Sequence, residues 1–364
     1  MSSVASTSPH VLAWPAFRKE RANPHAALLA RALREKGVVI DDWTPVRAFM
    51  RKVDIWHLHH PDTVVYPRHT FVSFCGVVTF AGLLCLARFR RTRIIWTIHD
   101  FTNNDGLHPW LESWFWQFFL PRLDACICLT EGGIVRARER FPQLRELPVY
   151  AVPHGHFLDA YPNTISREQA RDTLNIPQDA TVLLHFGLMR PYKNVPHLID
   201  TFNACDQRNS LLLIVGKPYD HHVEREINQC VGTGSRIRLR LGWIPPEEVQ
   251  LYFVACDLVV LPYKHIVNSG ALMLALSFSR PVLVPNLGNM REQQQAFGER
   301  WIRVYEGALT PVTLAEACDW AVSTERPTQN LTGFGWETIA ERTLEVYRRV
   351  LGHPDPPHPV LVQQ

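Results

Sequence analysis

Short runs of apolar, mostly β-branched residues alternate along the chain with longer stretches whose apolar positions recur every three or four residues. That alternation predicts strands joined by crossover helices, and hence parallel sheets. In the first half the pattern predicts strands at 10–12, 38–41, 55–59, 94–99, 125–129 and 149–152. In the second half it predicts them at 181–186, 210–215, 237–241, 258–261 and 281–284. Two such sets imply an α/β protein of two doubly wound domains, residues 1–160 and 161–335, with a linker around 156–181. The amphipathic stretch 336–352 reads as a final helix packing back on the first domain, and the proline-rich 353–364 as a loose tail.

Composition supports buried cores, since 46% of the 364 residues are hydrophobic and only 20% are charged. With 38 Lys+Arg against 35 Asp+Glu the net charge is +3, which lacks the basic field of a nucleic-acid binder and argues against that partner. The eight cysteines are scattered without a C-x-x-C pair, so a reduced cytoplasmic compartment is expected. The first ten residues show no basic segment followed by an apolar one, so no secretory signal is expected. The stretch 71–87 carries no charge and is followed by Arg88, Arg90, Arg91 and Arg93. It falls short of the roughly 20 apolar residues of a membrane span. Two readings remain: a buried helix of the α/β domain, or a face lying in a membrane surface with arginines on anionic head groups. The crowd of Trp110, Trp114, Phe115, Trp116, Phe118 and Phe119 before Pro121 allows the same two.

Ligands of parallel sheets bind beyond the carboxyl ends of the strands. Those positions hold His57-Leu58-His59-His60, His99-Asp100 and His154-Gly155-His156 in the first half. In the second half they hold Gly187 to Asn194 (GLMRPYKN), Gly216-Lys217-Pro218 and LPYKHIVNSG from Leu261. Hydrogen-bonding groups on one side and cations on the other suit a sugar-like partner facing a phosphate-bearing one. Arg190 and Lys193 combine a forked guanidinium with a compact ammonium, a pair able to hold a diphosphate and neutralise a leaving group. Cations at a helix start oppose the helix dipole, so a merely solvated pair is the weaker reading. Asn268-Ser269-Gly270 opens a helix whose uncapped amides form an anion site, unless Ser269 or Asn268 is simply its cap. Lys264 adds a cation nearby. His57 and His59 face one side of a strand, yet no acidic partner at ligand spacing and no H-E-x-x-H accompanies them, so no metal is expected. The fingerprints of dinucleotide binding, of ATP hydrolysis and of G-x-S-x-G hydrolases are absent.

The order HLHHP, TIHD, PHGH, LLHFGLMRPYKN, LLLIVGKP and VVLPYKHIVNSGALMLALSFSRPVLVP resembles the GT-B glycosyltransferases, over about residues 23–347. Within them it is most similar to a small group of exopolysaccharide β-mannosyltransferases. The resemblance implies two Rossmann-like domains facing across a cleft, with the acceptor on the first and the nucleotide sugar on the second. It also implies a mannosyl or hexosyl transfer from GDP-mannose, without cofactor or metal, to a lipid-linked oligosaccharide on the cytoplasmic face of the inner membrane. Carried onto this chain, Arg190, Lys193, Asn268, Ser269 and Gly270 would hold the diphosphate. His154, His156, Gly187, Lys264 and His59 would line the sugar site. Two departures stand out. The paired glutamates of broad retaining families are replaced by Ile266 and Leu274, and the arginine many relatives place after the glycine, at Leu188, stands at Arg190. Inversion would require a base for the acceptor hydroxyl, with Asp100 and His99 first and Asp62, Asp105 and Glu20 behind them. Two alternatives share the fold and donor class: a retaining UDP-sugar hexosyltransferase and an inactive nucleotide-sugar-binding subunit. A nucleotide-sugar epimerase is a third, needing neither acceptor nor membrane.

Overall fold

The computed structural model describes residues 8–18, 20–21, 24–101, 107–206, 209–232 and 236–352. The tail at 353–364 and Asp105 lie outside the described residues. Two compact units are formed, one from Met1–Gly155 with Gly333–Gln364 and the other from His156–Thr332. The first runs β1 (His10–Trp14), α1 (His25–Glu35), β2 (Val39–Asp42), α2 (Pro45–Met50), β3 (Ile55–Leu58), α3 (Thr70–Phe89), β4 (Arg93–Ile98), α4 (Pro109–Phe119), β5 (Ala125–Cys128), α5 (Glu131–Arg140) and β6 (Val149–Ala151). The second runs α6 (Arg167–Thr173), β7 (Thr181–Phe186), α7 (Val195–Asn203), β8 (Ser210–Gly216), α8 (His221–Val231), β9 (Ile237–Leu241), α9 (Pro246–Ala255), β10 (Leu258–Val260), α10 (Gly270–Ser277), β11 (Val282–Pro285), α11 (Met290–Phe297), β12 (Ile302–Tyr305) and α12 (Pro311–Ser323). Helix α13 (Trp336–Leu351) returns the chain to the first unit.

Among the described residues each unit holds one parallel sheet, ordered β2-β1-β3-β4-β5-β6 in the first and β12-β11-β10-β7-β8-β9 in the second. The order reverses between β1 and β3 and between β7 and β10, the places where ligand crevices open in such sheets. Alternation along β3 shows how the first core is built. Trp56 and Leu58 point into one cluster, with Phe80 and Leu84 of α3 and Phe115 and Phe119 of α4. Ile55 points into the other, with Leu33 of α1 and Ile339, Leu344 and Tyr347 of α13. Lys36, just beyond α1, ties to α13 through Glu341 at 2.7 Å. In the second unit Gly216 ends β8 at φ +132°, and a Cβ there would stand 2.1 Å from the Gly187 carbonyl oxygen. Only glycine permits that backbone contact, which holds the ends of β7 and β8 together.

Several expectations need revision. The second sheet has a further strand, β12, which the pattern missed because it is a four-residue edge strand interrupted by Arg303. The expected linker is part of the second unit, since α6 within it packs on α9. It is anchored by the fully buried Arg171, whose guanidinium donates to Asp257 at 2.8 Å and to the Ala255, Gln178 and Ala180 carbonyls. The apolar stretch at 71–87 belongs to a 20-residue helix, α3, long and apolar enough by composition to cross a membrane. One stripe of α3 is nevertheless committed to the core through Ser73, Val77, Phe80 and Leu84, while Phe71, Val72, Phe74, Val78 and Phe89 face outward. Three of the four arginines after it are already engaged: Arg88 and Arg93 with Asp124 at 2.5 and 2.9 Å, and Arg90 with the Phe49 carbonyl.

A packing constraint in the first unit is directly testable. A Cβ at Gly155 would fall 2.6 Å from the Trp336 ring. Gly155→Ala is expected to destabilise the protein by about 1–3 kcal/mol through overpacking. Urea denaturation of Gly155→Ala, and of the same change combined with Trp336→Phe, checks this: the double variant should recover part of the loss.

Candidate functional site

In the second unit the two strands flanking the order reversal deliver the cations. After β7 the chain turns at Gly187 (φ +113°), where a Cβ would stand 3.6 Å from the Lys193 ammonium. Arg190 follows, its guanidinium 4.5 Å from the centre of the Tyr219 ring. A 3-10 turn over Pro191–Lys193 and a left-handed Asn194 (φ 58°) then lead into α7. After β10 the chain runs against this turn, with the Lys264 amide donating to the Tyr192 carbonyl at 2.8 Å. The Tyr192 ring packs 5.1 Å from His265 and 6.0 Å from Tyr263. Tyr263 hydrogen-bonds Ser269 at 2.9 Å, and Ser269 accepts from the Leu272 amide at 3.1 Å. Ser269 is therefore the cap of α10, one of the two readings the sequence left open; earlier first-turn amides of α10 still lack intrahelical acceptors. Asn268 is held from behind by the fully buried Asn289, whose Nδ2 donates to its Oδ1 at 2.8 Å. The expected residues Gly187, Arg190, Lys193, Lys264, Asn268, Ser269 and Gly270 thus lie on two adjoining loops.

Electrostatics sharpen this arrangement. Burial and then the Arg190 charge bring the Lys193 ammonium down to about 8. Below it His185, fully buried in β7, meets the Val260 carbonyl through Nδ1 at 3.0 Å. Burial first and the Lys193 charge second hold its pKa near about 3, so it is neutral at physiological pH.

In the first unit the corresponding position is built from histidines. His25 opens α1, after the loop from β1, while His59 and His99 stand just beyond β3 and β4. One ring nitrogen from each of the three lies within 4.8 Å of the others, and His59 Nδ1 is 3.1 Å from His99 Nε2. His154 packs 4.0 Å from His25, His57 4.4 Å from His59, and His60 stacks 4.7 Å from His99. His57 is fixed by Tyr347 at 2.7 Å and Thr97 at 2.6 Å. Burial first, and then repulsion among neighbouring imidazoles, lowers His25, His59 and His99 well below the usual histidine range. Burial alone brings His57 to about 3, and His154 falls to about 4 with its Gly155 carbonyl contact opposing the drop.

The remaining candidates divide. Asp100 follows His99 at the end of β4 and shares this edge of the sheet. Glu20 is ion-paired with Arg31, and Asp62 accepts from the Tyr66 hydroxyl. His156 belongs to the second unit, where its Nδ1 accepts from the Leu158 amide at 3.4 Å, so PHGH straddles the boundary between units. Sequence reading did not single out His25, Tyr263 or Asn289. Only the closing histidine of KERANPH and the tyrosine of LPYK hinted at the first two.

Residues 180–322 match the family described as glycosyl transferases group 1. The chain aligns with sucrose-phosphate synthase from Thermosynechococcus elongatus at a TM-score of 0.69 and 15% identity, covering 95% of this chain and 99% of that one. Anabaena HepE in complex with UDP-glucose aligns at 0.64 and 12% identity, covering 94% and 98%. The chain shares the two-domain fold of these solved structures, and its second unit carries a stretch that matches the group 1 glycosyl transferase family. Over 309 residues it is 28% identical to the GDP-mannose:glycolipid 4-beta-D-mannosyltransferase of Xanthomonas campestris pv. campestris, spanning 84% of this chain and 82% of that protein. A shorter match, 27% over 187 residues, covers 48% of the chain and 47% of the lipopolysaccharide 1,2-N-acetylglucosaminetransferase of Salmonella typhimurium.

The buried neutral imidazoles predict acid sensitivity. A histidine depressed in the folded state takes up its proton only on unfolding, so stability falls as pH drops below about 6.5. For His57 and His185, both near about 3, the expected cost at pH 5 is roughly 2 kcal/mol each. Unfolding free energies measured from pH 8 to pH 5 should decline, and His185→Gln should flatten the decline.

Proposed function

We propose that the chain transfers a mannosyl group from GDP-mannose to a lipid-linked saccharide acceptor in exopolysaccharide assembly. The observation that carries this reading is the 28% identity to the Xanthomonas mannosyltransferase, spread over 84% of the chain. The chemistry of the second unit supports it. Arg190 and Lys193 receive the donor diphosphate, and the first-turn amides of α10 add dipole-aligned hydrogen bonds. These groups stabilise the charge that builds on the leaving nucleotide, the step at which catalysis of glycosyl transfer gains most. In the first unit Asp100 accepts the proton of the acceptor hydroxyl.

The outer faces of α2, α3 and α4 supply the contact with a bilayer surface. Phe49 and Met50 on α2, Phe71 and Phe74 on α3, and Trp110 and Trp114 on α4 are all exposed, Phe71 to 77%. Helix α3 contacts both α2 and α4. A helix buried along one stripe and apolar along the other suits a protein lying on the cytoplasmic face of the inner membrane. With Arg88, Arg90 and Arg93 engaged internally, apolar insertion is the main source of affinity.

Three measurements test these readings. Thermal-shift titration should show stabilisation by GDP and GDP-mannose; stabilisation by UDP-glucose alone would replace the donor. Arg190→Ala and Lys193→Ala should each lower kcat by about 100-fold or more. Because the Lys193 charge is lost as pH rises through about 8, the KM for the donor should climb above that pH. Lys193→Arg should move that limb upward. Wild-type protein should float with anionic vesicles in a density gradient, while Phe71→Ser combined with Phe74→Ser should stay at the bottom with its donor binding intact.

A further inference from the structure

We propose that His25, His59 and His99 form a binding site for one divalent transition-metal ion of the zinc class. Strands β1, β3 and β4 are consecutive neighbours in the first sheet, and the three histidines follow them in turn at the carboxyl edge where the order reverses. Such an edge is where parallel sheets hold ligands. The spacing fits. Zinc–nitrogen bonds of about 2.0–2.1 Å in a tetrahedron place ligand atoms roughly 3.3 Å apart. His59 and His99 already stand at 3.1 Å, and the three ring nitrogens lie within 4.8 Å. The third therefore closes by at most about 1.5 Å, within reach of ring rotation.

The donor set selects the ion. Imidazole nitrogens without carboxylates suit zinc, cobalt, nickel or copper and disfavour magnesium and calcium. Ligation uses the lone pair of a neutral imidazole nitrogen, which each of the three rings can offer. The surroundings are rigid on the His59 side, where His57 packs 4.4 Å away and is locked between Tyr347 and Thr97. His25 and His59 are buried and His99 is half-buried, which gives the ion a way in. Three ligands leave a fourth position for water or a substrate oxygen, the arrangement of metal sites that meet a ligand. This inference does not depend on the identity of the sugar donor.

The test uses the full chain, stripped with chelator and titrated with Zn²⁺ alone by calorimetry and with Co²⁺ by visible absorption. One equivalent should bind, with the strong ligand-field bands of low-coordinate cobalt. Each of His25→Gln, His59→Gln and His99→Gln should weaken binding by about 100-fold. His221→Gln combined with His222→Gln, on the exposed start of α8, should leave it unchanged. No binding, binding that survives the three variants, or binding lost in the α8 variant would overturn the site. Should the variants fail to fold, zinc X-ray absorption on wild-type protein decides. Three imidazole nitrogens at about 2.0 Å support the proposal, and fewer imidazoles with added oxygen ligands refute it.

Discussion

Parallel pairing obliges every strand of a sheet to finish on the same edge, and each strand hands the chain to a loop there before a helix carries it back. Where the strand order reverses, the two adjoining loops leave in opposite directions and a crevice opens between them. Both units of this chain gather their polar side chains at that point. In the second, the loops after β7 and β10 carry Arg190, Lys193, Asn268 and Ser269; in the first, the segments after β1, β3 and β4 carry His25, His59 and His99. The close approach of Gly216 to the Gly187 carbonyl is part of the same logic, because it draws the β7 loop against the β8 end and fixes where Arg190 begins.

The two edges solve opposite electrostatic problems. Lys193 and Arg190 repel one another beside a buried neutral imidazole, so the turn is a concentrated positive site that an anion relieves. The histidine edge avoids charge altogether: its rings are packed so closely that protonating any one is opposed by desolvation and by its neighbours. It therefore presents lone pairs and N–H donors rather than ions, a surface suited to hydroxyl groups or to a soft cation. Holding such rings in place requires partners behind them, which Thr97 and Tyr347 supply to His57.

Much of this was legible from residue order. Strand runs such as 258–261 and 281–284 were visible because buried parallel strands are continuously apolar and bounded by turn residues. The loops after β7 and β10 were legible because glycine, lysine, arginine and asparagine cluster where a strand meets a helix. What escaped notice depends on contacts distant in sequence. Arg171 looks like any surface arginine until Asp257 and four carbonyls close around it. His25 sits in a polar loop and gains meaning only when β3 and β4 place His59 and His99 beside it. β12 carries an arginine in its centre because an edge strand tolerates one. The outward stripe of α3 had two readings, and only the packed stripe opposite it shows that the helix is anchored on one side.

The first unit is split in sequence, and α13 lies far from everything it covers. His57 meets its Tyr347 partner 290 residues downstream. During synthesis on a ribosome, which proceeds from the amino end, the β1–β6 sheet must wait with Ile55, Ile95 and His57 lacking their covering helix. The whole second unit emerges in the meantime and, being continuous from His156 to Thr332, is able to fold first. Completion of the histidine edge is thereby postponed to the last stage of folding, after the second unit already exists.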